Sequence, residues 1–259
     1  MPNLLVCYKW TLDERDIKIN PNDLSLDSSR AKGKISDFDR MAIEEATQIV
    51  EKQGGAVDAL SYGTPTVKQS LKDVLSRGPN KAYYIGDASA EHADANVIAK
   101  VLAGAVRKLG KYDVILLGEG SSDSFNQQTG ARLAALLDLP VVTFVQEMTI
   151  EGDTVKATRK LADCTEAVTV KTPAVVQVLS TINKPRIPSM KQVLGASKKP
   201  NQELKIADLG LKAEDLVPKS TRKSVKGFVM SRKNVIYKES NAADNVAKLV
   251  ASLAKEGLR

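Results

Sequence analysis

Short apolar runs alternate with longer segments in which apolar residues recur every three or four positions, along the first 145 residues. The short runs are typical of strands buried on both faces, and the longer segments are typical of amphipathic helices. Their order, β-α-β-α-β-α-β-α-β, predicts an α/β fold with a mostly parallel open sheet and helices on both faces. The strands are expected at Asn3–Tyr8, Val57–Tyr62, Ala82–Ile85, Val114–Leu117 and Val141–Val145. The helices are expected between Asp37 and Gly54, between Gly63 and Leu75, over Asp94–Leu109 and over Thr129–Leu137.

Beyond Phe144 the chain changes to shorter apolar runs around a Glu151-Gly152-Asp153 turn. This pattern is closer to an antiparallel meander than to a strand-helix-strand repeat. The short strands are expected at Met148–Ile150, Thr154–Arg159, Ala167–Val170 and Ala174–Leu179.

The last part of the chain is rich in Pro, Lys and Ser and has weak periodicity from Ile187 onward. We predict a Rossmann-like, nucleotide-binding α/β domain over residues 1–186 and an extended C-terminal arm over residues 187–259, which ends in a terminal helix at Asn241–Lys255. Because the stretch Pro188–Lys238 has weak apolar periodicity, it is expected to bury little of its own surface and to lie on another chain.

A polar loop at Gly118–Asn126 follows the fourth strand and leads into the helix that starts at Thr129. A loop in this position lies at the carboxyl end of a strand, where the free N–H groups of the following helix attract an anion. The chain contains neither the GxGxxG pattern nor the GxxxxGK pattern of the usual nucleotide motifs, so an ordinary strand-to-helix connection remains an alternative.

The charge balance bears on the kind of partner. A net charge of +7 and a pI near 9.2 are compatible with nucleic-acid binding. Aromatic residues make up only 4% of the chain, however, and the basic residues between Lys184 and Lys233 are spread out rather than set beside a stacking platform. We therefore expect docking to an acidic protein and no nucleic-acid partner.

Cysteine and histidine usage argues against metal and disulfide chemistry. Cys7 and Cys164 are too few for a disulfide framework and are expected to be buried free thiols in a reducing cytoplasm. The single histidine, His92, excludes a His-rich metal site and is expected at the surface. Because no run approaches about 18 uncharged apolar residues and no signal peptide is visible, we expect a cytoplasmic protein without membrane insertion.

Several short motifs follow one another in a distinctive order and spacing along nearly the whole chain. They are Asp37-Phe38-Asp39 before Ala42–Ala46, Asp73–Pro79, the Gly118–Gly130 loop, Lys171–Val176 and Asn183–Met190. Together they resemble the β subunit of electron transfer flavoproteins, and in particular its Fix-type branch.

The resemblance implies an electron-carrier subunit rather than a stand-alone enzyme, with no catalytic residue of its own and a role in anaerobic metabolism. It implies a heterodimer with an α subunit that carries the redox FAD, and a buried AMP in this chain. The implied partners in electron transfer are an acyl-CoA dehydrogenase-like flavoenzyme or a quinone oxidoreductase. The alternative is a bifurcating subunit that holds a second FAD in place of AMP and uses NADH.

The resemblance also implies which residues bind the nucleotide. They are Cys7, Ser36, Asp37, Phe38, Asp39, Tyr62, Gly118, Asp123, Asn126, Gln127, Gln128 and Thr129. Of these, Gln127, Gln128 and Thr129 are expected next to the phosphate, and Asp123 is expected to brace the loop or to bind the ribose. Bifurcating members favour small residues where this chain has Asn126-Gln127, so this pair favours AMP over a second FAD.

The recognition loop of the family would fall on Pro185–Lys199. Met190 would anchor the partner protein in a shallow pocket, with Arg186 and Lys191 as a charged rim. The alternative is that Met190 fills the core of this chain.

Overall fold

The computed structural model describes residues 1–229 and 232–258, so residues 230, 231 and 259 of the expected arm lie outside the described residues. The chain forms two compact units. The first comprises Met1–Lys18 and Asp27–Val225, and the second comprises Ile19–Leu26 and Lys226–Arg259. The domain boundary expected at residue 186 stays a prediction.

Four short strands between residues 10 and 35 precede the first helix, and helices and strands then alternate from residue 37 to residue 151, as the hydrophobic pattern predicts. The strands are β1 (Asn3–Cys7), β2 (Trp10–Leu12), β3 (Lys18–Ile19), β4 (Leu26–Asp27), β5 (Gly33–Ile35), β6 (Ala56–Gly63), β7 (Lys81–Gly86), β8 (Val114–Gly118), β9 (Val141–Glu151), β10 (Thr154–Lys160), β11 (Thr165–Lys171), β12 (Ala174–Val178) and β13 (Asn201–Glu203). The α-helices are α1 (Asp37–Gln53), α2 (Leu71–Ser76), α3 (Ala95–Leu109), α4 (Thr129–Leu137), α5 (Met190–Ala196) and α6 (Ala242–Lys255). Strands β2 and β5 form one small sheet, and β3 and β4 form another.

A nine-stranded sheet has the order β11-β10-β9-β12-β8-β1-β6-β7-β13. In the order of the sheet, the strands from β9 through β12, β8, β1, β6 and β7 to β13 are all parallel to their neighbours. The other edge, formed by β9, β10 and β11, is antiparallel. This arrangement confirms the predicted α/β fold with a mostly parallel open sheet.

Strand β1 lies near the middle of the sheet and has buried side chains on both faces. Leu4 and Val6 pack into the same cluster as residues of α1 and α2, while Leu5 and Cys7 pack with residues of α3 and α4. Successive side chains of a strand point to opposite faces, so a strand covered on both sides needs a continuous apolar run. The helices therefore cover both faces, as predicted.

Strand β9 is one long strand where the sequence predicted two, at Val141–Val145 and Met148–Ile150. Phe144 has a φ of 58°, and the register between β9 and β12 shifts close by, between Val176 and Val178. Such an irregularity interrupts the alternation of side chains without ending the strand.

The helix that the sequence predicted between Gly63 and Leu75 also differs from the observed structure. It consists of a 3-10 segment at Pro65–Ser70 followed by α2.

The first part of the expected arm packs within the first unit. Helix α5 contacts α2, and β13 pairs with β7 at the edge of the sheet. Ala196, Leu204 and Leu209 are buried there. Most of residues 190–209 are nevertheless exposed, as expected, and the polar strand β13 is held by the backbone hydrogen bonds that the open sheet edge at β7 offers.

The second unit contains α6, whose first turn is capped by Asn241, since its side chain accepts the backbone N–H of Asp244 at 2.8 Å. The apolar stripe of this helix is exposed and consists of Val246, Leu249, Val250 and Leu253. Within residues 1–229 and 232–258, no helix has the length and apolar character needed to cross a membrane.

The two cysteines differ in environment. Cys7 is buried at the end of β1, as expected, whereas Cys164 is exposed. The expectation of a buried Cys164 is wrong because this residue lies in the turn between β10 and β11 rather than in a strand. His92 is exposed, as expected, at the end of a 3-10 segment.

Candidate functional site

An open cleft lies where β1, β6 and β8 end and where α3 and α4 begin, with Cys7, Tyr62, Gly118, Ala95 and Thr129 among its walls. Including its open mouth, it encloses about 690 Å³. The carboxyl ends of parallel strands are the edge at which open α/β sheets bind ligands.

Most of the residues predicted from the sequence to bind a cofactor line this cleft. They are Cys7, Asp39, Tyr62, Gly118, Asn126, Gln127, Gln128 and Thr129. Ser36, Asp37, Phe38 and Asp123 do not line it, and they lie instead behind or beside the polar loop. Ligand binding by any of these residues stays a prediction.

The start of α1 braces the polar loop from behind. The Ser36 hydroxyl accepts the backbone N–H of Ser122 at 3.2 Å, and the Ser122 hydroxyl accepts the backbone N–H of Asp37 at 3.0 Å. The rings of Phe38 and Phe125 lie 5.0 Å apart. These contacts fix the loop against a buried helix, so the loop backbone is held in place before any ligand arrives.

Asp39 joins the ends of two parallel strands at the floor of the cleft. Its carboxylate accepts the backbone N–H groups of Lys9 at 2.8 Å and of Gly118 at 3.2 Å. Burial raises the pKa of Asp39 to about 7, although both hydrogen bonds and the nearby Lys9 ammonium oppose this rise. The side chain therefore titrates near neutral pH.

Two other acidic residues of the prediction are paired with lysines. Lys34 donates to the Asp37 carboxylate at 2.7 Å, and Lys9 donates to the Asp123 carboxylate at 2.6 Å. Burial opposes ionisation of Asp123, but Lys9 and the Ser121 hydroxyl together hold the pKa of this carboxyl below its ordinary value. Asp123 thus braces the loop through Lys9, which is one of the two roles that the resemblance implied.

The first turn of α4 borders the cleft, which Gln128 and Thr129 line. Gln128 occupies the N-cap position, yet its side chain bonds Arg132 at 3.0 Å and, within the described part of the chain, caps no N–H group of that turn. Phe125 and Gln127 both have positive φ values, 43° and 55°, which turn the backbone sharply before the helix. Uncapped N–H groups at a helix N-terminus form a site for an anion.

The opposite wall of the cleft is apolar. It consists of Cys7, Tyr62, Ile98, Leu102 and Leu117. Burial raises the pKa of the Cys7 thiol, and the nearby Asp39 carboxylate raises it further, so this sulfur stays protonated and neutral. A wall of this kind suits a flat aromatic ring, whereas the helix end suits a phosphate.

Gln177 on β12 is a residue of the cleft that sequence reasoning missed. It is only 3% exposed, and its Oε1 atom has no hydrogen-bond partner within residues 1–229 and 232–258. The signal that could have found it is a single amide inside the apolar run Ala174–Val178. Ile98 and Leu102 were also missed, because their spacing on α3 reads only as a core-facing stripe.

The residues expected to dock a partner protein lie away from the cleft. Met190 is 74% exposed at the start of α5, so the alternative that it fills the core is wrong, and Lys191 beside it is exposed too. Arg186 is engaged within the chain, since its guanidinium donates to Glu44 at 2.8 Å and also pairs with Glu51. Docking at this surface stays a prediction.

A comparison with protein families supports one relationship. The family model described as the electron transfer flavoprotein domain matches residues 23–209, which is well over half of the 259-residue chain. The matched range begins after β1 and ends beyond β13.

Proposed function

Since the chain belongs to the electron transfer flavoprotein family, we propose that it is the β-type subunit of a heterodimeric electron carrier and that its cleft binds AMP. The observation that carries this proposal is the pairing of an uncapped helix N-terminus with an apolar wall in one cleft. A nucleotide needs both features, because its phosphate is anionic and its base is flat and largely apolar.

The polar end of the cleft fits a phosphate group. The backbone N–H groups at the start of α4 supply donors, and the Lys9 ammonium lies nearby in its pair with Asp123. Gly130 in the same helical turn has no side chain to fill the space over Gln177. A backbone cradle of this kind binds phosphate without a glycine-rich motif.

The choice of AMP over a second FAD rests on Gln127. Its side chain donates to the Glu119 carboxylate at 3.1 Å and is thereby held across the polar loop. A long amide held there leaves less room for a second isoalloxazine ring than a small residue would. The redox FAD, carried mainly by the α subunit, supplies the electron-transfer chemistry, while the residues of this chain bind and orient AMP.

Two exposed surfaces support the proposed partners. The apolar stripe of α6 is suited to an interface with the α subunit. Around α5, Ile187, Met190 and Leu194 are 93%, 74% and 62% exposed, respectively. Such a cluster of apolar side chains supports docking to an acyl-CoA dehydrogenase-like enzyme or a quinone oxidoreductase.

The experiment that tests the proposal is purification of the chain co-expressed with its α subunit, followed by acid extraction and chromatography of the released nucleotides. One FAD and one AMP per heterodimer is the expected result. Two FAD and no AMP would instead favour the bifurcating alternative, which uses NADH. A stable complex that releases neither flavin nor adenine nucleotide would overturn both readings.

A further inference from the structure

Asp39 is a buried acid on the floor of the cleft, and it forms no ion pair in the described part of the chain. Its side chain is 6% exposed. Its carboxylate oxygens accept the backbone N–H groups of Lys9 and Gly118, which are neutral donors. Two neutral donors offset only part of the cost of removing a carboxylate from water, so burial favours the protonated form of Asp39.

The Lys9 ammonium does not neutralise Asp39, because it is engaged elsewhere. It pairs with the Asp123 carboxylate at 2.6 Å. Through space, Lys9 lowers the pKa of Asp39 and Asp123 raises it, and the pKa stays well above its ordinary value. The ion pair therefore leaves Asp39 as a buried acid without a cation of its own.

The other ionisable groups near Asp39 supply no counter-charge either. The Cys7 thiol at the end of β1 is neutral, because burial raises its pKa. Glu119 lines the cleft just beyond β8 and adds a second carboxylate. The neighbouring charges on α1 and β5 pair with one another, and they are Asp37, Arg40 and Lys34. The polar end of the cleft, where the proposed function places a phosphate, is thus acidic whenever Asp39 is ionised.

We propose that binding of AMP in the cleft is coupled to the uptake of a proton from solvent by Asp39, so that the affinity for AMP falls as the pH rises through neutrality. This inference rests on the proposed function. The phosphate of AMP is an anion, and like charges in a partly buried cleft repel each other more strongly than they do in water. Protonation turns Asp39 into a neutral acid and removes this repulsion, while its two oxygens still accept the backbone N–H groups.

The test uses the full-length protein in its purified complex, stripped of nucleotide, and follows AMP binding by titration calorimetry at several pH values. The wild type is expected to bind AMP roughly three- to tenfold more weakly at about pH 8.5 than at about pH 6.5, because Asp39 is mostly protonated only at the lower pH. At about pH 7.5, the heats measured in HEPES and in Tris should differ by the uptake of about half a proton per AMP. This second measurement needs no variant, so it does not depend on the folding of a mutant protein.

The Asp39→Asn variant separates this role from a purely structural one. An amide of the same shape is neutral at every pH, so the variant is expected to bind AMP roughly three- to tenfold more tightly than the wild type at about pH 8.5. Ionisation of the phosphate itself affects both proteins alike, and the difference between their pH profiles therefore reports Asp39. A structural role predicts the opposite, weaker binding by Asp39→Asn at every pH.

The matched control is Asp153→Asn, the same change at an exposed turn residue that pairs with Lys171. It is expected to follow the pH profile of the wild type. An Asp39→Asn protein that binds AMP no more tightly than the wild type at about pH 8.5, or AMP binding by the wild type without proton uptake, would overturn the inference and leave the proposed function intact. Absence of any AMP binding by the wild type would instead overturn the proposed function.

Discussion

The carboxylate of Asp39 accepts a hydrogen bond from the backbone N–H of Gly118 at 3.2 Å, which ties the first turn of α1 to the end of β8. The second oxygen of the same carboxylate accepts the N–H of Lys9, just beyond β1. Two strand ends that border the cleft are therefore held by one side chain.

Titration of Asp39 is expected to make the protein less stable as the pH rises from about 4 to about 7. Its pKa is raised from 3.8 to about 7 in the folded chain, so the unfolded chain releases this proton first. The stabilisation that protonated Asp39 contributes is fully present below its pKa in the unfolded chain. It is lost as the pH rises to its pKa in the folded chain. Urea unfolding between pH 4 and pH 8 should show that Asp39→Asn removes this slope, roughly 1–3 kcal/mol between pH 5 and pH 7.

The control for this comparison is Asp123→Asn, because the pKa of Asp123 is shifted downward rather than upward. In the wild type, ionised Asp123 is expected to stabilise the fold above the ordinary carboxyl pKa, and this stabilisation is lost as the pH falls below that range. Asp123→Asn should therefore alter the pH profile in the acidic range rather than between pH 5 and pH 7. Parallel pH profiles for the wild type and Asp39→Asn would contradict the role assigned to Asp39.

A methyl group at Gly118 is expected to destabilise the protein and to weaken nucleotide binding. A Cβ atom there would lie 2.6 Å from the backbone carbon of Phe38 and 2.8 Å from its Cβ, so α1 or β8 must shift. Overpacking of this kind costs about 1–3 kcal/mol. Gly195→Ala is the matched control, because nothing lies within 4 Å of its added Cβ and alanine is the better helix former.

Chemical denaturation of both glycine variants and AMP titration of the two proteins would check this prediction. Gly195→Ala should be equal to the wild type or slightly more stable. A Gly118→Ala protein with wild-type stability and affinity would show that α1 packs less tightly on β8 than the structure describes.

Lys9 and Asp123 are expected to affect AMP binding in opposite directions. The pair lies beside the polar loop at 2.6 Å, and each side chain is partly exposed. Lys9→Met removes a cation near the anion site and is expected to weaken AMP binding roughly three- to tenfold, whereas Asp123→Asn frees the ammonium and should strengthen it. Titrations with AMP and with adenosine would check this, since adenosine lacks the phosphate and should respond to neither change.

The position of the candidate site could be predicted from the sequence, because an apolar run, a polar loop and a helix start in that order identify a strand end. The loop at Gly118–Thr129 lies at the cleft for this reason. The separation of lining residues from bracing residues could not be predicted. Ser36 and Asp39 are three positions apart at the start of one helix, and only the packing of α1 decides which of them faces the cleft.

Two other features were hidden for physical reasons. Strand β13 contains Asn201, Gln202 and Glu203, so no apolar pattern marks it, and its pairing depends on the backbone of the neighbouring edge strand β7. Gln177 is a single polar residue in an apolar run, and sequence alone cannot separate an exposed amide from a buried one. In both cases the deciding contact comes from a distant part of the chain.

Loss of the Arg186 guanidinium is expected to destabilise the fold by about 3–5 kcal/mol. Arg186 donates to Glu44, which is 5% exposed on α1, so Arg186→Ala leaves a buried carboxylate without its cationic partner, although the Gln48 amide still donates to it. Burial opposes ionisation of Glu44, but the bonds from Arg186 and Gln48 hold the pKa of this carboxyl below its ordinary value.

Glu51 also pairs with Arg186 but is half exposed, so Glu51→Gln is the matched control and should cost less than about 1 kcal/mol. Urea unfolding of both variants and of the Arg186→Ala, Glu44→Gln double variant would check the prediction. The double variant should recover part of the loss, since it no longer buries an unpaired charge, and an Arg186→Ala protein as stable as Glu51→Gln would contradict it.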